Sequence, residues 1–215
     1  GKADSKNAGI KDVKIDEIEL RGSKSKNYEL IQPKKDDVKV EISPLDINIK
    51  DLSAMDKEYD GNNKVKIQRG TLEGILNGDT VSAKIPEEGQ ADDKNAGKHK
   101  VHIEKIKLEG KDAKNYNLIQ PEYGSITMKI SQKPISIVGL EAQDKTYDGN
   151  NIVKLVGGKI EGKVGNDDVS FLVPDTVVSE GSKVGIHRVI IKGIKLEGHD
   201  ANNYKLEKVN DVTVK

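Results

Sequence analysis

Apolar and polar residues alternate along most of this chain. Leu45, Ile47 and Ile49 are separated by Asp46, Asn48 and Lys50; Val65 and Ile67 follow, then Val81, Ala83 and Ile85. A period of two puts every second side chain on one face, which predicts half-buried β-strands. One segment changes phase: Val101 and Ile103 alternate, then Ile106 and Leu108 alternate on the opposite face. The same pattern stands at Val13, Ile15, Ile18 and Leu20, and again at Val189, Ile191, Ile194 and Leu196. A phase change at one fixed place predicts a β-bulge, where an extra residue re-aims the side chains. No segment sustains the three-and-four spacing of a helix. Asp60-Gly61, Asn77-Gly78, Gly157-Gly158 and Asn166-Asp167 supply turn chemistry between the strands. About seven strands per module predict an all-β fold of β-sandwich type.

The strand pattern recurs because the sequence does. Lys57-Glu58-Tyr59-Asp60-Gly61-Asn62-Asn63 returns 88 residues later as Lys145-Thr146-Tyr147-Asp148-Gly149-Asn150-Asn151. Leu108-Glu109-Gly110-Lys111-Asp112-Ala113-Lys114-Asn115-Tyr116 returns at the same spacing as Leu196-Glu197-Gly198-His199-Asp200-Ala201-Asn202-Asn203-Tyr204. A fainter copy, Leu20-Arg21-Gly22 with Asn27-Tyr28, precedes both. The period is longer than a solenoid repeat and suits a small autonomous domain. Its register divides the chain into 1–42, the C-terminal half of a repeat, and two full repeats, 43–130 and 131–215. Residues 1–42 are too few to bury the face of Val13, Ile15, Ile18 and Leu20 alone. That face is expected to lie under the neighbouring unit, another copy of the chain, or the missing half of the domain.

The second block adds to the fold. An acid stands four residues before Tyr116 and Tyr204, and a leucine, Leu118 or Leu206, two after. Immunoglobulin domains place a tyrosine corner in that setting, with a Cys at the last position. The expected architecture is therefore a series of tandem immunoglobulin-like β-sandwich modules. Each tyrosine is expected to pack at the core edge with its hydroxyl tying down a loop. The half-repeat has Lys24 in place of the acid.

Charge narrows the partners. Lys plus Arg and Asp plus Glu balance at 36 each, which argues against nucleic acid, whose phosphates need a basic face, and gives no reason to expect an anionic membrane as partner. Aromatics are 3% and Trp is absent, so the cores must be built from Val, Ile and Leu. There is no Cys, hence no disulfide, thiolate or Cys-based zinc site. No apolar run reaches a transmembrane length.

Three constellations invite chemistry. Asp60, Asn62 and Asn63 around Gly61, with their copy at Asp148 and Gly149, could offer oxygens to calcium. They lack the spacing of strong calcium loops, and a tight turn explains the same residues. His99 and His187 are equivalent by the repeat, and His102 lies between Val101 and Ile103, but none has a metal-ligating companion in sequence. Lys57 and Lys145 recur, as do Asn27, Asn115 and Asn203, which admits a Lys–Asn isopeptide crosslink if a buried carboxyl lies alongside. Abundant lysine makes coincidence the simpler account. No nucleophile elbow, phosphate loop or paired carboxylates argue for an enzyme, and no cofactor is expected.

In order, these motifs are a Pro near the start of each full repeat, K-x-Y-D-G-N-N, a G-D/N-D-x-V turn, D-x-K-N-A-G, and L-x-G-x-D-A-x-N-Y-x-L. The series closely resembles the YDG-type tandem repeat domain of bacterial surface adhesins. The resemblance covers both full repeats, and the half-repeat matches the C-terminal portion; Ser182-Lys183-Val184-Gly185 departs from it. It implies a secreted bacterial protein on the cell surface or in the cell wall, with many such modules in a row. Tyr59, Asp60, Gly61, Tyr147, Asp148, Gly149, Tyr28, Tyr116 and Tyr204 are then residues of a structural motif. The expected function is a stalk that projects a distal binding region, with neighbouring repeats as partners. The alternative is a module that itself contacts a host glycan or matrix protein. Phe171, the sole Phe, makes the last repeat slightly more apolar without marking a binding loop.

Overall fold

The alternating segments fold as strands. A computed structural model describes residues 1–34 and 37–215, and among these the chain is all-β. The only helical elements among the described residues are short 3-10 turns at Ser25–Asn27, Ala113–Asn115 and Ala201–Asn203. No helix among them is long and apolar enough to cross a membrane. Each 3-10 turn directly precedes the tyrosine of the second repeated block, so Tyr28, Tyr116 and Tyr204 each stand at its C-terminal cap.

The chain forms two compact units that cut across the sequence repeats. One comprises 1–53, 68–87 and 104–122; the other comprises 54–67, 88–103 and 123–215. In the first unit, Gly9–Lys14 pairs antiparallel with Lys2–Ala3 and with Lys39–Ile42. Leu45–Lys50 runs between Tyr116–Leu118, which is parallel to it, and the antiparallel Thr71–Glu73. Ser82–Lys84 pairs with Lys107–Glu109.

The second unit contains the corresponding pieces. Lys133–Ala142 runs between the parallel Tyr204–Val209 and the antiparallel Leu155–Glu161. Ser170–Leu172 pairs with Lys195–Glu197. Ile152–Val153, Val177–Ser179, His187–Ile190 and Thr213–Val214 form a four-stranded sheet. A further sheet carries Lys64–Gln68, Glu88–Ala91, Gly97–His102, Thr127–Ser131 and Lys57–Glu58 in that order. The core of residues 131–215 is aliphatic, as the composition requires: Ile137, Leu140, Val153, Leu155, Val177, Val189, Val212 and Val214 pack together. Phe171 lies against that cluster, which accounts for the extra apolar character of the last repeat.

The phase change is not a bulge. Gly97–His102 and Lys107–Glu109 are separate strands that pair with different partners, and 103–106 is the link between them. The side chains reverse because the chain leaves one sheet and joins another. Ile106 in the link is buried, and the Gln120 amide satisfies its backbone at both ends, accepting from its N–H and donating to its carbonyl. Gln32 does the same for Ile18.

The expected cover of the half-repeat is only partly realised. Val13 and Ile15 are half-buried, but Ile18 and Leu20 are 44% and 43% exposed. In the first full repeat Leu108 lies opposite Ala83 in a two-stranded ladder. Among the described residues no strand pairs with 18–20.

Ile137→Ala removes a fully buried side chain from the second unit and is expected to cost about 2–5 kcal/mol. Ile18→Ala is expected to change stability by less than about 0.5 kcal/mol. Urea titration of both variants checks the contrast.

Candidate functional site at the repeat junction

The Tyr-Asp-Gly turn is organised around a lysine. Lys57 Nζ donates to Asp60 Oδ1, Asn62 O, Asn62 Oδ1 and Lys64 O at 2.7–3.1 Å. The turn also closes on itself, Asn62 N–H donating to Asp60 Oδ1 and Lys64 N–H to Asn62 Oδ1. Lys145 does the same in the second copy, bonding Asn150 and Ile152 and pairing with Asp148. Of the residues that the sequence offered to calcium, Asp60 and Asn62 therefore turn their oxygens to an ammonium group, while Asn63 pairs with the backbone of Ala91. Burial pushes the Asp60 carboxyl up, but the Lys57 ammonium and the Asn62 N–H outweigh it and hold the group below the usual carboxylate range. For Asp148 the Lys145 contact is the leading cause of the same shift. Lys57 and Lys145 are thus engaged within their own turns, which separates them from the asparagines of the isopeptide alternative.

What the turn presents is its tyrosine. Tyr59 is only 1% exposed, and its ring meets Tyr204 of the following repeat edge-on, centroids 5.5 Å apart at 77°. Both hydroxyls donate to Asp167 Oδ2, that of Tyr59 at 2.8 Å. Tyr204 Oη in turn accepts from Val164 N–H at 3.0 Å. Gly61 has φ of 80°, and a Cβ there would come within 3.0 Å of Val164 Cγ1. Backbone geometry and the approach of the next repeat both require glycine at this position. Burial and the Asp167 carboxylate raise the pKa of both tyrosines, pushing Tyr204 up to about 12.

A second contact lies beside it. Ala96 N–H donates to Asn203 Oδ1 at 2.8 Å, and Asn203 Nδ2 donates to Asn95 Oδ1 at 2.9 Å. His99 braces the loop that carries Asn95, with Nδ1 3.0 Å from Asp92 Oδ1 and Nε2 2.7 Å from Asn95 O. The Lys133–Glu58 ion pair also crosses between residues 43–130 and 131–215, and beside it Gln132 Nε2 donates to Asn202 O within the second of these. Gly157-Gly158 and the histidines other than His99 take no part in it.

The first unit repeats the asparagine clasp. Ala8 N–H donates to Asn115 Oδ1 at 2.9 Å and Asn115 Nδ2 to Asn7 Oδ1 at 3.0 Å, with separations of 107 and 108 residues, as in the second. Tyr116 Oη accepts from Leu76 N–H and donates to Asp79 Oδ2, and Lys6 lies 3.4 Å from Asp79 Oδ1. The Tyr116 hydroxyl and then Lys6 hold the Asp79 carboxyl below its usual range. Both tyrosines of the second block are buried and tie down a loop, as expected, but the loop lies 37–40 residues upstream. The acid four residues before each tyrosine holds the same loop, Asp112 accepting from Thr80 N–H and Asp200 from Asp168 N–H.

Two of the expected motif tyrosines are not packed: Tyr28 is 72% and Tyr147 66% exposed. Sequence reasoning missed Asp79, Asp167, Asn95 and Asn203 as partners. The available signal was the repetition of Asn-Ala-Gly and Asn-Tyr at fixed distances, with a polar asparagine in each.

Asn203→Ala leaves Ala96 N–H and Asn95 Oδ1 without partners and is expected to destabilise the second unit by about 1–3 kcal/mol, readable by chemical denaturation. Alkaline pH is expected to act through the tyrosines. Their folded-state pKa values lie above the ordinary 10, so the unfolded chain loses these protons first. The stabilisation is fully present below pH 10 and is lost as pH rises towards and through about 12. Denaturation midpoints between pH 8 and 11.5 should fall less steeply in Tyr204→Phe than in the unchanged chain.

A scan against protein-family models matches the YDG domain over residues 43–124 and 131–212. No curated protein and no solved structure matches the chain. Two matched segments cover most of its length, and the chain belongs to the YDG domain family, of which it carries two tandem copies.

Proposed function

We propose that this chain is a run of stalk modules from a bacterial cell-surface adhesin, lying outside the cell at the surface or in the wall and projecting a distal binding region. Its modules are proposed to be immunoglobulin-like sandwiches, each presenting its loops to the next. Support for that architecture comes from the separate sheets within each repeat and from the buried tyrosine that ties a loop to the core edge. The observation that carries the functional reading is the recurrence of the asparagine clasp at the same 107- and 108-residue separations in both units. Residues that a receptor-binding module would turn outward, Tyr59, Asn95 and Asn203, are engaged with another repeat. Neighbouring repeats are thus the proposed partners, and no residue cluster among those described suggests a reaction.

The test is a glycan and matrix-protein array probed with the 215-residue chain. No saturable binding is expected. Saturable binding that a surface-loop substitution abolishes without moving the melting temperature would replace the stalk with the alternative, a module contacting a host glycan or matrix protein.

A further inference from the structure

The second unit carries the same docking face twice, once filled and once open. In residues 43–130 the face is Tyr59, Gly61 and Asn95-Ala96, and residues 131–215 cover it. In residues 131–215 the corresponding positions are Tyr147, Gly149 and Lys183-Val184. Lys183 is confirmed as the counterpart of Asn95 by its carbonyl, which bonds His187 Nε2 at 2.7 Å as Asn95 O bonds His99 Nε2. The turn has the same shape in both: Gly149 has φ of 81°, and Lys145 fills its loop as Lys57 does. Only the cover differs. Tyr147 is 66% exposed against 1% for Tyr59, Val184 is 90% exposed, and a Cβ on Gly149 would meet nothing within 4 Å. A cleft of about 570 Å³ beside them is lined by Lys145, Tyr147, Lys183, Val184 and His187.

We propose that this face docks a further YDG module joined in line after it, and that Lys183 selects a module with an acidic residue where Asn203 stands. The proposal rests on the stalk reading and adds the register and the partner's chemistry. Tyr147 would enter between an Asp and a Tyr equivalent to Asp167 and Tyr204, as Tyr59 does now. The clasp, however, has changed. Asn95 Oδ1 accepts from Asn203 Nδ2, whereas the Lys183 ammonium can only donate. An asparagine in the incoming module would set two donors against each other and leave its NH2 buried without an acceptor. A carboxylate accepts from Val184 N–H with one oxygen and from the ammonium with the other, a charge-assisted pairing.

The experiment duplicates residues 130–215 after Lys215, so that the added module follows in the register of the existing joint. In the extended chain, Val184 N–H is expected to gain protection from hydrogen exchange, because it would be bonded as Ala96 N–H is bonded to Asn203 Oδ1. Tyr147→Ala is expected to leave the 215-residue chain's melting temperature unchanged and to lower that of the extended chain by at least about 5 °C. An Asn→Asp change in the added module, at the place of Asn203, should raise that temperature, and Lys183→Asn should reverse the preference. Equal Val184 exchange and equal effects of Tyr147→Ala in both chains would overturn the docking. An added module with Asp no more stable than one with Asn would overturn the role of Lys183. Self-association of the 215-residue chain that Tyr147→Ala abolishes would give the face to a second copy instead. Each of these readouts is independent of the binding array, so docking can fail while the stalk reading stands.

Discussion

One carboxylate holds the second unit's joint together. Asp167 accepts from Tyr204 in its own repeat and from Tyr59 in the preceding one, so a single oxygen serves both sides. A half-buried carboxylate without such donors would carry a large desolvation cost. With both tyrosines present, the acid is satisfied and the two rings bring apolar area to a protein otherwise poor in it. The glycine of the turn, the lysine that shapes it and the acid that fixes the receiving loop all serve to bring these three groups together. In the first unit Lys6 is an additional partner of the equivalent acid, so the carboxylate there is met by a cation as well as its own tyrosine.

The division into compact units follows from the same economy of apolar material. Aliphatic cores with almost no aromatic content bury little area per residue, and a small domain built that way is marginal. Spreading a repeat over two units lets its loops gain polar contacts that its own core does not provide. The asparagine clasp is of this kind: each amide uses both its oxygen and its nitrogen, and the backbone N–H of the adjacent alanine is satisfied at the same time. Hydrogen bonds at such a joint contribute modestly one by one, but leaving any of them unmade is expensive.

Much of this was legible in the sequence and some of it was not. Period-two alternation located the strands, and the Tyr-Asp-Gly and Asn-Tyr blocks marked the residues that matter. The reversed phase at Ile106 identified a real feature but not its nature, because alternation alone does not distinguish a bulged strand from two strands in different sheets. The bonding of Tyr59 to Asp167, 108 residues away, was out of reach for a different reason. A turn tyrosine next to Gly has the same local pattern whether it packs on its own domain or on the next. Tyr59 and Tyr147 make the point, since near-identical surroundings in sequence lead to burial in one and exposure in the other. The recurrence of Lys57 and Lys145 was visible in the sequence but their role in the turn was not, because lysine on a charged surface is ordinary and only coordinates reveal four oxygens around one ammonium.

The parallel pairing of Lys133–Ala142 with Tyr204–Val209 has a mechanical consequence. The first of these strands opens its repeat and the second lies near its end. Tension applied to the chain pulls the start of one strand and the finish of the other in opposite directions along a common axis. The ladder between them, interrupted by one register shift between Ile135 and Ser136, is loaded in shear with its bonds on either side sharing the force, whereas a hairpin pulled from its open end would unzip one bond at a time. Leu45–Lys50 and Tyr116–Leu118 pair in the same parallel sense, so the same shear geometry recurs one repeat earlier.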